Sequence, residues 1–423
     1  MSRNELAGTV SLDARGVGSL IFVNRFFYPD HSATSQLLSD LAFDLSERRA
    51  GNVVVITSRQ RYDDAQASLA SHETIRGVKV FRVWTTRFGR GGLIGRAVDY
   101  MSFYISSFFA TWRLARSGDI LIAKTDPPLI SLFVAIVVRL RGATLVNWVQ
   151  DLFPEVAREL GVKALDGMVF RIVKKLRDSS VRAARCNVVL GRLMKIRLEN
   201  EGVESSCIKV IPNWVDDDVR PVNHVDNPLR KEWGLGDKFV VGYSGNLGRA
   251  HEVDTILAVL DILRNDEGIV FMFIGGGAGL DRLRQVATDK GYGNVYFKEY
   301  QPRQYLAESL SVADVHLVSL LPRLEGLIVP SKFYGILAVG RPVIYIGSPN
   351  GEIPSIIDRE SCGFTVDVGE ASILAQRLRA CAENRREVNA MGKNSRMLYQ
   401  KCYQKQIALD EWREVLGVRS AYR

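Results

Sequence analysis

Cysteine is scarce in this chain, with five in 423 residues, at positions 186, 207, 362, 381 and 402. No two have C-x-x-C spacing and the number is odd. That argues against a disulfide framework or a zinc site and fits a reducing compartment. Long apolar runs are lacking too. "YMSFYISSFFATW" (100–112) and "PPLISLFVAIVV" (127–138) are too short to span a bilayer. The second reads as a buried helix of an α/β domain. The first is aromatic and bracketed by Arg96 and Arg113, so a helix lying on a membrane surface is an alternative to a buried one. The opening "MSRNELAGTVSLDARGVGS" has no apolar signal core, so residues 1–18 are expected to be a flexible leader, without secretion. A dinucleotide fingerprint is absent as well. In "FIGGGAGLDRLR" (273–284) a G-x-G-x-x-G from Gly275 would need glycine where Leu280 stands. The stretch reads as a tight turn before a helix, and a nicotinamide or flavin enzyme is disfavoured.

What is present is ordinary globular material, 47% apolar and 24% charged, with a net charge of +9. The length suits two domains, or three small ones. The positive balance favours an acidic partner: phosphates, nucleic acid or an anionic membrane surface. Short β-rich runs alternate with helix-length segments: "SLIFVNRFF" (19–27), "NVVVITS" (52–58), "VKVFRVW" (78–84), "DILIAK" (119–124), "ATLVNWV" (143–149) and "CNVVLG" (186–191). "IPNWVDDDVRPVNHVDNP" (211–228), rich in proline, asparagine and aspartate, reads as a linker. The rhythm then restarts with "KFVVGYSG" (238–245), "GIVFMFIG" (268–275), "NVYFKEY" (294–300), "DVHLVSL" (314–320) and "RPVIYIG" (341–347). Helices dominate from 370 to 416, with "LYQKCYQKQIALDEWREVL" as a long last segment. Near-continuous apolar strands alternating with helices predict parallel sheets covered on both faces. The expected architecture is α/β, two doubly wound domains facing a cleft. The expected boundaries are 19–212, a linker at 213–228, 229–400, and a final helical segment 401–423.

Ligands of such sheets bind beyond the carboxyl ends of the strands, so the strand-to-helix loops hold the candidates. "PSKFYGILAVGRPVIYI" (330–346) places Lys332 in a first helical turn, a plausible phosphate seat. "GYSGNLGRAHEVDTIL" (242–257) offers Gly245 and Gly248 for close backbone approach and Arg249 as a planar fork for phosphate oxygens. Glu325, in "SLLPRLEGLIVPSKFYG", is suited to a hydroxyl or a ribose. In the first half, "FFYPDHSATSQLL" (26–38) presents His31 among small polar residues. "NWVQDLFPEVARELG" (147–161) presents Asp151 directly after a strand, and Glu155, which also suits a helix start after Pro154. "FRIVKKLRDSSVRAAR" (170–185) is a basic helix, read equally as a solvated face or as a membrane-docking face using Arg171, Lys174 and Lys175. It lacks interleaved aromatics, so nucleic acid is not an expected partner.

"WVQDLFPE", "VIPNWVD", "GYSGNLGRAHEVDTIL", "EGLIVPSKFYGILAVGRPVI" and "GEIPSII…CGFTV", in this order, resemble family 4 glycosyltransferases of the GT-B fold. The likeness is to the branch that builds bacterial surface polysaccharides such as colanic acid and O-antigen. It implies two Rossmann-like domains, the first for the acceptor and the second for a UDP- or GDP-sugar donor, with the last helix returning to the first domain. It implies a retaining reaction, no metal and no cofactor beyond the donor. The acceptor would be a glycan or a polyprenyl-diphosphate-linked chain, met peripherally on the cytoplasmic face of the inner membrane. On the donor side the resemblance implies Gly245, Asn246 and Arg249 along the diphosphate, Lys332 neutralising it beside Ser331, Tyr300 near the nucleobase, and Glu325, Gly326 and Leu327 in the adjoining loop. Asp151, His31 and Ser32 would face the sugar and acceptor, and Asp151, Arg249 and Lys332 would carry the catalysis. The chain departs from the family in two respects. Two glutamates eight positions apart, usual in many members, align with Leu327 and Gly335, and the usual Arg and Lys of the diphosphate loop align with Asn246 and His251.

The chemistry points the same way. A departing nucleoside diphosphate gathers negative charge, which helix N-termini and fixed cations stabilise. Two other readings stay open at this level. One is a nucleotide-sugar 2-epimerase of the same fold, expected to use several carboxylates and histidines, although the chain has only five histidines. The other is a non-catalytic sugar-nucleotide-binding subunit.

Overall fold

The computed structural model describes residues 18–48, 51–89 and 92–418. The expected leader, apart from Gly18, lies outside them. Contacts divide the chain into two compact units. One takes the described residues of Met1–Trp148, Ser179–Asn187 and Leu409–Arg423, and the other takes Val149–Asp178 and Val188–Ala408.

The first sheet comprises β1 (Leu20–Val23), β2 (Val53–Ser58), β3 (His72–Ile75), β4 (Val78–Val83), β5 (Ile120–Lys124), β6 (Thr144–Trp148), β7 (Cys186–Val189) and β8 (Ile208–Val210), in the order β3-β4-β2-β1-β5-β6-β7-β8. β1 pairs in parallel with β2 and β5. "LIFV", "VVVITS" and "ILIAK" are buried along their whole length, as expected of strands covered on both faces. The helices of this unit are α1 (Ala33–Glu47), α2 (Leu93–Leu114) and α3 (Ile130–Arg141). Gly142, at φ 67°, stops α3 in the left-handed conformation that glycine adopts at low cost. β3 departs from the all-parallel expectation. It folds back antiparallel on β4 through Arg76 and Gly77, both at positive φ, the geometry of a tight two-residue hairpin.

The chain continues through α4 (Glu155–Glu159), α5 (Gly167–Ala183), α6 (Arg192–Asn200) and α7 (Pro228–Glu232). The second sheet follows, with β9 (Phe239–Asn246), β10 (Ile269–Gly276), β11 (Val295–Lys298), β12 (Val315–Ser319), β13 (Val343–Ile346) and β14 (Gly363–Val366), in the order β11-β10-β9-β12-β13-β14. Every pairing in it is parallel. Alternation splits its side chains between two cores. Phe239, Val241, Tyr243, Phe271 and Phe273 enter one, and Val240, Val270, Met272 and Ile274 the other. The flanking helices are α8 (Asp254–Ile262), α9 (Ala278–Asp289), α10 (Leu306–Ser311), α11 (Lys332–Ala338), α12 (Glu352–Glu360), α13 (Ala371–Glu383) and α14 (Arg385–Leu398), and the last helix, α15 (Lys405–Leu416), belongs from Leu409 onward to the first unit.

The long last segment expected from the sequence is broken. α14 runs into a π-helical turn, Tyr399–Tyr403, and Gln404 leaves the helix in an extended conformation to bridge Val215. Beyond the break, Trp412 is fully buried in the first unit against Trp148, with ring centroids 4.5 Å apart, and Arg413 pairs with Asp44.

Lys124 ends β5 wholly buried, its ammonium nitrogen 3.4 Å from the Trp148 ring centroid and without a hydrogen-bond partner. Burial pulls its pKa well below 10.5, against the pull of Asp126 and Asp40. The unfolded chain therefore binds the extra proton, and this lysine costs stability at every pH below 10.5 where the unfolded form is charged. Lys124→Met is expected to gain about 1–3 kcal/mol at pH 7, the scale of an unmade buried hydrogen bond. The gain should shrink as pH rises toward 10.5. Urea unfolding across pH checks it, and a destabilised variant would contradict it.

Candidate functional site

β9 and β10 each carry a glycine, side by side, one residue before their carboxyl ends. Gly245 and Gly275 are register partners, at φ 122° and 125°. A Cβ on Gly275 would stand 2.4 Å from the Gly245 carbonyl oxygen, and one on Gly245 would stand 2.8 Å from Cε of Lys332. The lysine stem therefore lies across the bare backbone of Gly245, and any side chain there would displace it.

Lys332 opens α11. Its Nζ donates to the Asn246 carbonyl at 2.9 Å, lies 3.4 Å from Nε2 of His251 and sits 5.1 Å from the Tyr243 ring centroid. The Tyr243 hydroxyl donates to the same carbonyl at 3.0 Å. His251 Nδ1 donates to the Ser319 carbonyl at 2.6 Å. A carbonyl only accepts, so the proton is on Nδ1 and the Nε2 lone pair faces the ammonium. Burial lowers the Lys332 pKa to about 8. Burial, and then the nearby Lys332 charge, lower that of His251 to about 4. At neutral pH the pair is thus one cation steered by a neutral imidazole.

The glycine run after β10 interlocks with this loop. Leu247 N–H donates to the Gly276 carbonyl and Gly279 N–H to the Leu247 carbonyl, both at 2.8 Å. A Cβ on Gly277 would meet Asn246 Oδ1 at 2.3 Å. The run is the tight turn before a helix that the sequence predicts, with α9 opening directly after Gly277, and it has a second role. It is the neighbour that fixes Asn246, and the legible sign was three successive glycines at a strand end.

The other expected residues fall into separate places. Tyr300 is exposed, its ring edge 3.5 Å from where a Gly276 Cβ would be. Arg249 is exposed and donates to the Leu160 carbonyl at 2.6 Å, not to the Lys332 cluster. Glu325 serves the protein itself. It accepts from the Tyr345 hydroxyl and, at 3.3 Å, from the first N–H of α12, and burial raises its pKa. Glu352 in turn accepts the Arg192 and Leu193 N–H groups of α6, at 3.0 and 2.8 Å. Glu325 and Gly326 also line a cleft of about 410 Å³ with Leu193, Ile196, Arg197, Asn200 and Glu201. Gly326 has φ 72°, Leu327 is fully buried and Ser331 is exposed. Asp151 is exposed, and the next residue, Leu152, donates to the Leu327 carbonyl at 2.9 Å, tying the two loops together. His31 and Ser32 belong to the other unit, where His31 is exposed and the Ser32 hydroxyl donates to Asp30.

On α5 the basic residues divide. Lys174 lies 3.0 Å from both Asp178 and Glu201, and Arg177 is buried against Glu155. Arg171 and Lys175 stay exposed. Lys174 is therefore not the free cation that the docking reading of this helix assumed, because Asp178 one turn along the same helix and Glu201 at the end of α6 hold it.

Residues 226–397 match the family model described as glycosyl transferases group 1. The chain is 29% identical over 304 residues to WbjE of Pseudomonas aeruginosa, described as a glycosyltransferase, across 70% of this chain and 74% of that one. It is 28% identical over 253 residues to WcaI of Escherichia coli (strain K12), described as a colanic acid biosynthesis glycosyl transferase, across 58% and 61%. Among solved structures it resembles Anabaena Alr3699/HepE, crystallised with UDP and glucose, at a TM-score of 0.68 and 16% identity over 95% of this chain and 100% of that one. The Gly245–Lys332 constellation lies inside the matched segment, and the two largely parallel α/β sheets match the fold of the structural neighbours; this chain is a glycosyltransferase of the GT-B fold.

Proposed function

We propose that the protein transfers a sugar, with retention and without a metal, from a UDP- or GDP-sugar to a lipid-linked glycan in bacterial surface-polysaccharide synthesis. It would work as a peripheral protein on the cytoplasmic face of the membrane. The observation that carries the donor half is the Lys332 ammonium laid over Gly245 at the carboxyl ends of β9 and β10. Such an edge is where parallel sheets receive ligands. A cation held there by a carbonyl and a neutral imidazole is preorganised for the charge that builds on a leaving diphosphate. The kinship with WbjE and WcaI supports the polysaccharide setting.

In this reading Gly245 and Asn246 lie along the diphosphate, Ser331 joins Lys332, and Tyr300 lies against the base. Arg249 leaves the Leu160 carbonyl to fork onto phosphate oxygens. The loop of Glu325, Gly326 and Leu327 shapes the ribose side, with Glu325 acting through its hold on α12. Asp151 orients the sugar, His31 and Ser32 meet the acceptor, and the leaving phosphate accepts the acceptor's proton.

Calorimetry with UDP, GDP and CMP, with and without magnesium, tests this. One nucleoside diphosphate is expected to bind selectively, at equal affinity in both buffers, and no binding would overturn it. The pH dependence follows from Lys332, whose pKa in the free protein is about 8. An anion favours the charged lysine and raises that pKa in the complex. Affinity should be flat below about 8 and fall above it, at most tenfold per pH unit. A flat profile up to pH 10 would remove Lys332 from the diphosphate.

A further inference from the structure

α2 is apolar on two sides. One face packs on the sheet through Phe103 and Tyr104. On another, Ile94, Val98, Met101, Ile105 and Phe109 recur at helical spacing and are all exposed, Ile94 at 83% and Phe109 at 61%. That stripe is about 22 Å long at 1.5 Å per residue. α3 packs beside α2, with Tyr104 stacked on Phe133 at 4.8 Å, and adds the exposed Ile136 and Leu140. A helix with a second, exposed apolar face is ordinarily covered by something.

The charges around the stripe say what covers it. Between 93 and 119 the only acidic residues are Asp99 and Asp119, and α3 has none. Both aspartates are buried. Asp99 accepts the Phe88 and Gly89 N–H groups and pairs with Arg25, and Asp119 accepts the Ser19 and Arg116 N–H groups. The exposed charges on these segments are cationic: Arg113, Arg116 and Arg139. A protein partner or a second copy would be expected to find some negative charge or a polar rim to pair with. An apolar stripe whose own helices carry only arginine as exposed charge fits anionic lipid. No helix among the described residues is long and apolar enough to cross a membrane, so the fit is to the interface.

We infer that the α2–α3 face is the surface by which this protein lies on an anionic bilayer, with the Ile94–Phe109 stripe dipped among the acyl chains and the arginines at the phosphates. This names the contact for the membrane reading proposed above. It rests on that reading only for location, since vesicle binding needs neither donor nor acceptor.

The test is flotation of the full-length protein with vesicles of phosphatidylglycerol and phosphatidylethanolamine, and with phosphatidylcholine alone. The wild type should float with the first and weakly with the second. Salt should reduce the binding without abolishing it, because the apolar part is unscreened. Ile105→Glu/Phe109→Glu should lower partitioning at least tenfold with an unchanged thermal melt. Ile94→Ser/Phe109→Ser should give a several-fold loss, and it keeps the test open if the glutamates unfold the domain. Equal flotation of the wild type and the folded variants would overturn the assignment, as would a wild type that binds neither vesicle. A wild-type dimer that the substitutions turn into a monomer would also overturn it, assigning the face to a second copy. Nucleotide binding by the same samples reads the glycosyltransfer proposal separately.

Discussion

Lys332→Ala is expected to lower turnover by about 10²–10³-fold, the usual cost of losing one preorganised group at a site of developing charge. The lysine is held on three sides, by the Asn246 carbonyl, by Nε2 of His251 and by the bare backbone of Gly245. It spends no reorganisation when charge appears. The leaving diphosphate is more negative in the transition state than in the bound donor, so kcat should fall more than KM rises. Lys332→Arg should rescue little, because a planar fork does not fit the seat of a linear stem. Donor-consumption kinetics of the folded variants check this, and turnover within fivefold of the wild type would remove the role. His251 offers an internal control. It is neutral above its pKa of about 4, so its loss should loosen the lysine without removing charge, at a smaller cost than Lys332→Ala.

Gly245→Ala is expected to reach nearly the same loss by a different route. The new methyl would stand 2.8 Å from Cε of Lys332, and the residue would have to hold φ 122°, a conformation L side chains rarely adopt. Either the backbone relaxes, breaking the register with Gly275, or the lysine swings off the Asn246 carbonyl. Backbone strain of this kind costs about 1–3 kcal/mol, which the loop would relieve by moving. We expect turnover to drop about 10²-fold with the fold retained. Because both changes remove the same cation from the same place, Gly245→Ala combined with Lys332→Ala should be little worse than Lys332→Ala alone. Additive losses would mean that the glycine serves something other than the lysine seat. A Gly275→Ala variant should affect the fold more, since its methyl meets the Gly245 carbonyl at 2.4 Å, backbone against backbone.

Much of the fold was legible because its causes are local. Apolar runs such as "VVVITS" and "FVVGYSGN" declare two-sided strands, and they stand as β2 and β9. The glycines near the ends of β9 and β10 and the lysine that opens α11 were readable in the same way, each from a few neighbouring residues. β3 was not legible, because "HETI" is exposed or half-buried and polar, and its pairing comes from the Arg76–Gly77 turn. The break at Gln404 was not legible either, since what draws it out of the helix is Val215, far away in the chain.

By itself the sequence determined two α/β halves, a positive chain without a membrane-crossing run, and a glycine-and-lysine seat after the strands of the second half. Only the tertiary structure decided which way the side chains turn. Arg249 reaches the Leu160 carbonyl, Glu325 caps α12, Lys174 is held between carboxylates, His251 steers Lys332, and one face of α2 is left apolar and open. Periodicity and turn chemistry act over a few residues and leave a pattern in the chain. A hydrogen bond between groups some 80 residues apart, or the lack of a covering neighbour, leaves none until the elements pack.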